Sequence, residues 1–465
     1  MQIPVLNGVY SDPKGNFRAS YPVNMMPVPA DTGISAGYLR PAEGAVKTGN
    51  GIGLPRGGYA WRGELYRVMG TKLCKVASDG SVTMLGDVGA SSRVTFTESF
   101  DKLAIVSAGT LYYWDGAALT HVTDPDLGPV LDAIWIDGYF MTTDGTSLVV
   151  TELNDPMSVN PLKYGSSEAD PDPIVALLKI RNEAYAVNRY TVEAFGDVGG
   201  DGFPFERISG AQVQRGAIGT HAACVMSDAI AFLGGGRGEA PSVWLAANGT
   251  SIKLAAAEVD RVLLNYSSSD LANSVLQVRQ FSGHNHLWVV LPDRTLVYDM
   301  AASQQAGEPV WFSLVSAVNS FSRYRVVDPV FCHDKWAVCD ADTGDVGELS
   351  ESTARQFGEV YRWEFGTVII YNGARGAIFN SLELVGLTGR VEAGEDPYIS
   401  TSWSSDGENW SQDRPIRAGK SGEFNRRLVW LQQGHMLRQR MQRFRGDSRA
   451  MITVASIEAT LEALA

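Results

Sequence analysis

The chain has 465 residues, 45% hydrophobic and 10% aromatic, which is enough apolar side chain to fill two or three cores and excludes a disordered protein. Its formal charge of −13 excludes a surface that binds nucleic acid as a whole, because such affinity comes from Lys and Arg neutralising phosphates. The four cysteines, Cys74, Cys224, Cys332 and Cys339, show no CxxC spacing, so reduced and mostly buried thiols are expected in place of a disulfide framework or a thiolate zinc site.

Residues 1–56 open the chain with MQIPVLNGVYSDPKGNF, which has no charged segment followed by an apolar one, and no apolar run anywhere approaches the ~18 residues of a spanning helix. Synthesis and assembly in the cytosol, with no membrane anchor, are expected. Pro4, Pro13, Pro22, Pro27, Pro29, Pro41 and Pro55 punctuate this stretch, which reads as an extended arm that docks on something else and does not fold alone.

From residue 57 a cadence begins. GELYRVMGTKLCKVASDGSVTMLGDV (63–88), DKLAIVSAGTLYYWDGAALTHVTD (101–124) and AIWIDGYFMTTDGTSLVVTEL (133–153) each set short strands between Gly or Asp-Gly turns, where both positions tolerate positive φ. Looser copies follow at 174–195, 221–255, 278–300 and 328–349. Seven units over residues 57–350 give a period of about 42, the mark of a β-propeller of six or seven blades, seven favoured. A ribbon such as TLYYW cannot hide its aromatic area alone, so Trp114 is expected to pack between neighbouring blades.

Beyond residue 356 longer strands, among them YISTSWSSDGENWSQDR and AMITVASIEATLEA, predict a C-terminal β-sandwich. The expected organisation is an all-β chain with an arm (1–56), a propeller (57–355) and a sandwich (356–465). Residues 414–449 hold Arg414, Arg417, Lys420, Arg426, Arg427, Arg438, Arg440, Arg443, Arg445 and Arg449 against only Glu423 and Asp447. That local excess of eight positive charges leaves residues 1–413 at −19 once Glu458 and Glu462 are counted, an asymmetry that points to an oriented partner surface. Leu428, Trp430, Leu437 and Phe444 are expected on the buried side of these strands, with arginines at the rim.

Catalytic sets are thin. There is no GxSxG elbow, HExxH, Walker loop or Rossmann fingerprint. LGGGRGEAP (233–241) reads as a loop, since no helix follows to hold a phosphate. GHNH (283–286) places His284 and His286 on one side of a strand, but with no third ligand in view it reads as a hairpin tip with exposed imidazoles. SSDGENW (404–410) resembles the Asp-box hairpin of sialidase propellers, one residue short and outside the propeller span, and implies a structural turn. No catalytic residue, cofactor or metal is expected, and the protein is read as no enzyme.

YPVNMMPVP (21–29), SAGYLRPAEGAV (35–46), GEAPSVWL (238–245), TLVYDMAASQ (295–304) and RRLVWLQQG (426–434) resemble, in this order, the packaged-DNA stabilisation proteins of short-tailed bacteriophages, the tail hub or head-completion proteins of podoviruses. The resemblance implies a structural virion protein, assembled in the host cytoplasm as a hexameric ring below the portal and its adaptor. Such a ring would retain packaged DNA, carry the tail needle and tailspikes, and pass double-stranded DNA through its lumen without reading sequence. The basic 414–449 residues would face the adaptor or a neighbour. In the arm, Tyr21, Pro22, Asn24, Tyr38 and Arg40 would either add a strand to the last blade or reach a neighbouring subunit. The alternative is a host-glycan-binding or glycan-degrading propeller of the phage tail.

Overall fold

A computed structural model describes residues 2–3, 21–30, 37–318, 321–372 and 375–464. Seven antiparallel sheets follow one another as blade 1 (55–87), blade 2 (95–121), blade 3 (132–166), blade 4 (174–207), blade 5 (216–253), blade 6 (275–314) and blade 7. Blade 7 sets Val326–Cys332, Lys335–Asp340 and Val346–Ser350 side by side, and Gly44–Gly49 completes it as the fourth strand. Hydrogen bonds between distant parts of the sequence therefore close the ring, and the last blade gains a partner for its outer edge. Gly49 permits the fit: a Cβ there would stand 2.0 Å from the Gly80 carbonyl oxygen in the Asp79-Gly80 turn of blade 1.

Each blade buries both of its faces. In Leu103–Ser107, Leu103 and Ile105 join a cluster with Trp61, Val68 and Leu73 of blade 1, whereas Ala104 and Val106 join Ala133 and Phe140 of blade 3. Period-2 alternation thus sends successive side chains to opposite neighbours, which is why the strand reads as a continuous apolar run. Trp114 lies in the cluster between blades 1 and 2, and Tyr113 packs on Phe140 of blade 3 with ring centroids 4.9 Å apart. The remaining clusters continue around the ring, and Leu65, Cys74 and Val76 meet Val327, Ala337 and Cys339 between blades 1 and 7. All four cysteines are free.

The C-terminal part is a two-sheet sandwich. One sheet runs in the order Met25–Val28, Tyr38–Pro41, Thr453–Ala463, Ala377–Leu387, Leu428–Leu431, with Gln2–Ile3 pairing to Thr453–Ala463 and His435–Met436 to Ala377–Leu387. The other runs Arg362–Gly366, Gln439–Asp447, Tyr398–Ser404, Arg414–Arg417, with Ile370–Tyr371 alongside. Phe365, Phe379, Ile399, Leu428, Phe444 and Ile457 fill the space between them, and Met25 and Leu39 of the arm are fully buried in the same core.

The arm is therefore placed differently from the expectation. Gly44–Gly49, not residues 21–25 or 38–40, takes the last-blade position, because Met25 and Leu39 carry the bulk that the sandwich core needs, whereas the closing strand must be slim. Between the two bodies the arm makes a third connection. Val23 bridges Ser313, in the outer strand of blade 6, and Glu364, in the sandwich, so that the two sheets are continuous through it. The rest of the arm, residues 4–20 and 31–36, lies outside the described residues.

Candidate functional site: arm, basic segment, axial cavity and His–Asp cluster

Asn24 sits at the junction with φ of +54°, a conformation that Asn tolerates better than most residues. Its side-chain amide donates to the carbonyl oxygens of Val315 (3.1 Å) and Arg362 (2.7 Å), and its Oδ1 accepts from the Val315 N–H at 3.0 Å. The Pro22 carbonyl accepts from the Ser313 N–H at 2.8 Å. Tyr21 packs half-buried on the apolar cluster between blades 5 and 6, where burial and the nearby Glu258, Asp260 and Glu308 push its hydroxyl well above the usual range. Arg40 pairs with Glu351 and lies 5.5 Å from the Phe281 ring, while Tyr38 is half-buried on its strand opposite Val28. These arm residues grip their own chain.

The basic segment divides into three groups. Arg440 is fully buried, with its guanidinium 4.3 Å from the Phe379 ring and 5.0 Å from that of Trp403, donating to the Gln433 carbonyl and to Gln442 Oε1. Burial and the charge of Arg414 push it down to about 9. It is a core residue, not a rim residue as expected, because the even positions of Gln439–Asp447 face inward with Gln442 and Phe444. Arg443, Arg445 and Arg449 are half-buried, the first 4.0 Å from the Trp410 ring, the others paired with Glu364 (2.7 Å) and Asp447 (2.7 Å). Arg417 and Arg427 are exposed but paired with Asp396 and Glu383. Arg414, Lys420, Arg426 and Arg438 are exposed and have no ion pair among the described residues.

Leu428, Trp430 and Phe444 are buried as expected, but Leu437 is 76% exposed. Met436 pairs with Ala377 and points inward, which turns its neighbour out. Phe424, Leu431 and Leu437 are exposed in the same stretch of sequence as these four cations. In SSDGENW, Asp406 Oδ1 accepts from the Glu408 and Asn409 N–H groups at 2.9 and 2.8 Å, and Trp410 donates to the Gly407 carbonyl. These bonds order the turn, and Arg443 and Gln439 contact it from the neighbouring strand.

First strands of all seven blades line an axial cavity of about 800 Å³. Asp328, buried beside the lining residue Pro329, takes hydrogen bonds from Arg93 (2.6 Å) and Gln277 (3.2 Å) of the wall. Burial pushes the Asp328 carboxyl up, but Arg93 and Arg67 more than offset it and keep it ionised. Asp132, also buried, accepts from the Leu177 N–H at 2.8 Å, yet burial still raises it to about 6. Burial holds His221 down at about 3. The pairing of Arg93 with Asp328 ties the segment before Thr95–Glu98 to Val326–Cys332 of blade 7.

The GHNH hairpin departs from expectation. His286 is buried and His284 half-buried, and strand pairing brings Asp299 opposite His286. Asp299 Oδ2 lies 2.5 Å from His284 Nδ1 and 3.4 Å from His286 Nε2. Burial favours the protonated Asp299, but the hydrogen bond with His284, the nearby His286 ring and the Ala302 N–H carry its carboxyl far below the usual range. The third donor, on the next strand of the meander and 13 positions past His286, was invisible to a reading of local spacing.

No helix of the described residues is long and apolar enough to cross a membrane. Two family models match the chain: one described as bacteriophage P22 Gp10, beta-propeller, over residues 1–354, and one described as bacteriophage P22 Gp10, beta-sandwich, over residues 362–462. A curated relative, the tail hub protein gp10 of Salmonella phage P22, is 27% identical over 482 aligned positions that cover 99% of each chain. Among solved structures, the WD40 domain of Neurospora crassa Pan2 matches at 10% identity and a TM-score of 0.41, covering 64% of this chain and 90% of its own. PorZ of Porphyromonas gingivalis matches at 12% identity and a TM-score of 0.39, covering 80% of this chain and 46% of its own.

Proposed function

Since the chain belongs to the bacteriophage P22 Gp10 family, we propose that it is a tail hub protein, a non-catalytic structural component of a phage virion. One observation carries this reading: the tail hub relative is matched over 99% of both chains, so propeller and sandwich are retained together and in the same order. In the finer form of the proposal, six copies form a ring below the portal and its adaptor, which retains packaged DNA, carries the needle and tailspikes, and becomes the conduit at ejection. The axial cavity of a single propeller encloses only about 800 Å³, which supports a conduit in the space between copies. The acidic balance of residues 1–413 suits such a wall, because like charge keeps phosphates mobile.

For the docking face we propose the part of the sandwich that bears Arg414, Lys420, Arg426 and Arg438 beside the exposed Phe424, Leu431 and Leu437. Unpaired Arg next to exposed aromatic and aliphatic side chains is the composition of an interface awaiting its partner. Imaging the purified protein mixed with its portal and adaptor tests the whole reading: rings with a central hole, added below the adaptor, are the expected result. Protein that stays unattached would overturn it. Reversing Arg414, Arg426 and Arg438 to Glu together should abolish attachment while the free protein keeps its melting temperature.

A further inference from the structure

We propose that His284, His286 and Asp299 form a site for one divalent transition-metal ion of the zinc class at the rim of blade 6. The donors come from adjacent strands. His284 and His286 alternate onto one face of His284–Val290, directly after the Ser282-Gly283 turn, and Asp299 ends Thr295–Asp299 in register with His286. Their three ligand atoms lie within 4.8 Å of one another. Two imidazoles and one carboxylate are the borderline donor set that suits zinc and its first-row neighbours, and do not suit calcium or magnesium, which take oxygen ligands.

Three details separate this cluster from a simple hydrogen-bonded triad. First, His286 is only 2% exposed, and its Nε2 is buried without a hydrogen-bond partner among the described residues. Leaving such a nitrogen unpaired is costly, and a metal would satisfy it. Second, Nε2 of His286 and Oδ2 of Asp299 are 3.4 Å apart. Donors about 2.0–2.1 Å from a tetrahedral zinc sit roughly 3.3 Å from each other, so this pair is already spaced for an ion. Third, the Asp299 carboxylate is divided: Oδ1 accepts from the Ala302 N–H at 3.0 Å, which fixes the group and leaves Oδ2 facing the imidazoles.

Only His284 has to move, since its Nδ1 stands 2.5 Å from Oδ2. It is also the most exposed of the three, at 16% of its side chain, and so supplies both the freedom and the entry path, with water completing the coordination. Arg279, paired across the strand from His286, is engaged by Glu43 at 2.5 Å, which limits its repulsion of an ion.

The test uses the full chain, stripped with a chelator, incubated with excess Zn²⁺ and freed of unbound ion by gel filtration. About one zinc per chain should remain, with a raised melting temperature, and the Co²⁺-loaded protein should show the visible ligand-field bands of tetrahedral nitrogen–oxygen coordination. His286→Phe keeps a ring against Phe312 while removing the unpaired nitrogen, and His284→Gln removes the mobile donor. Both variants should fold with a melting temperature near that of the stripped protein and retain less than a tenth as much zinc. Absence of bound zinc in the parent protein, or equal retention by both variants, would overturn the assignment.

Discussion

Propeller and sandwich are built from similar strands, yet they distribute their cores in opposite ways. The propeller has no common centre; each pair of neighbouring blades shares an apolar cluster, and the axis is left to a cavity of mixed polar and apolar lining. The sandwich has one core, and that core is incomplete without Met25 and Leu39 from the other end of the sequence. Damage to a blade should therefore act through the two clusters it borders, whereas damage to the sandwich core should be felt by the whole domain. The arm joins the two regimes: Gly44–Gly49 closes the propeller, Met25–Val28 and Tyr38–Pro41 complete the sandwich, and Val23 and Asn24 connect their edges.

The sharpest way to break this comparison lies within the basic segment. Arg440→Glu would place a carboxylate beside the Gln433 carbonyl and Gln442 Oε1 acceptors, in a core where no cation pairs with it directly, at a cost of about 3–5 kcal/mol. Insoluble or molten protein is the expected outcome, seen as lost near-ultraviolet circular dichroism. Arg438→Glu, two residues away and exposed, should change unfolding free energy by less than about 0.5 kcal/mol in a urea titration.

Asp132 supplies a smaller effect confined to the propeller. Its carboxyl is raised to about 6 by burial, so the folded state holds the proton more tightly than the unfolded state does. The stability this group contributes is complete below about pH 4 and is lost as pH rises through 6. Asp132→Asn, which cannot ionise, should therefore gain on the parent protein between pH 4 and 7, by about 2–3 kcal/mol. Urea unfolding of both proteins across that range measures the difference, and a constant gap would remove the charge argument.

A still smaller and more local effect is expected at the ring closure. Gly49→Ala puts a methyl group against the Gly80 carbonyl and should cost about 1–3 kcal/mol. Hydrogen exchange should show the loss concentrated in Val346–Ser350 and the Asp79-Gly80 turn, and a uniform loss across the chain would show that closure is not local.

The all-β class, the seven repeats and the sandwich were legible because Asp-Gly and Gly turns between apolar runs leave a strong local trace, as in WDGAAL and DGTSL. Thr95–Glu98, Phe205–Arg207 and Gly216–Ala217 were missed, being short or carrying little apolar pattern of their own. The destination of the arm was illegible for a different reason. YPVNMM and GAVKTG are both extended, and which of them fits the last blade depends on steric room against Gly80 that only the assembled ring defines. Arg440 was misread because a buried arginine held by ring faces and carbonyls looks, in sequence, like any other arginine of a basic run. Asp299 escaped the metal reading because it meets the histidines only across a strand pair.

The central claim is that the arm makes propeller and sandwich one mechanical body, and calorimetry of the full chain tests it most directly. Independent domains would melt in separate transitions, whereas the connections at Val23 and Asn24 predict a single cooperative one. Asn24→Ala, which strips the bonds to Val315 and Arg362, should split it in two. Two well-separated transitions in the unaltered protein, unchanged by that substitution, would contradict the account.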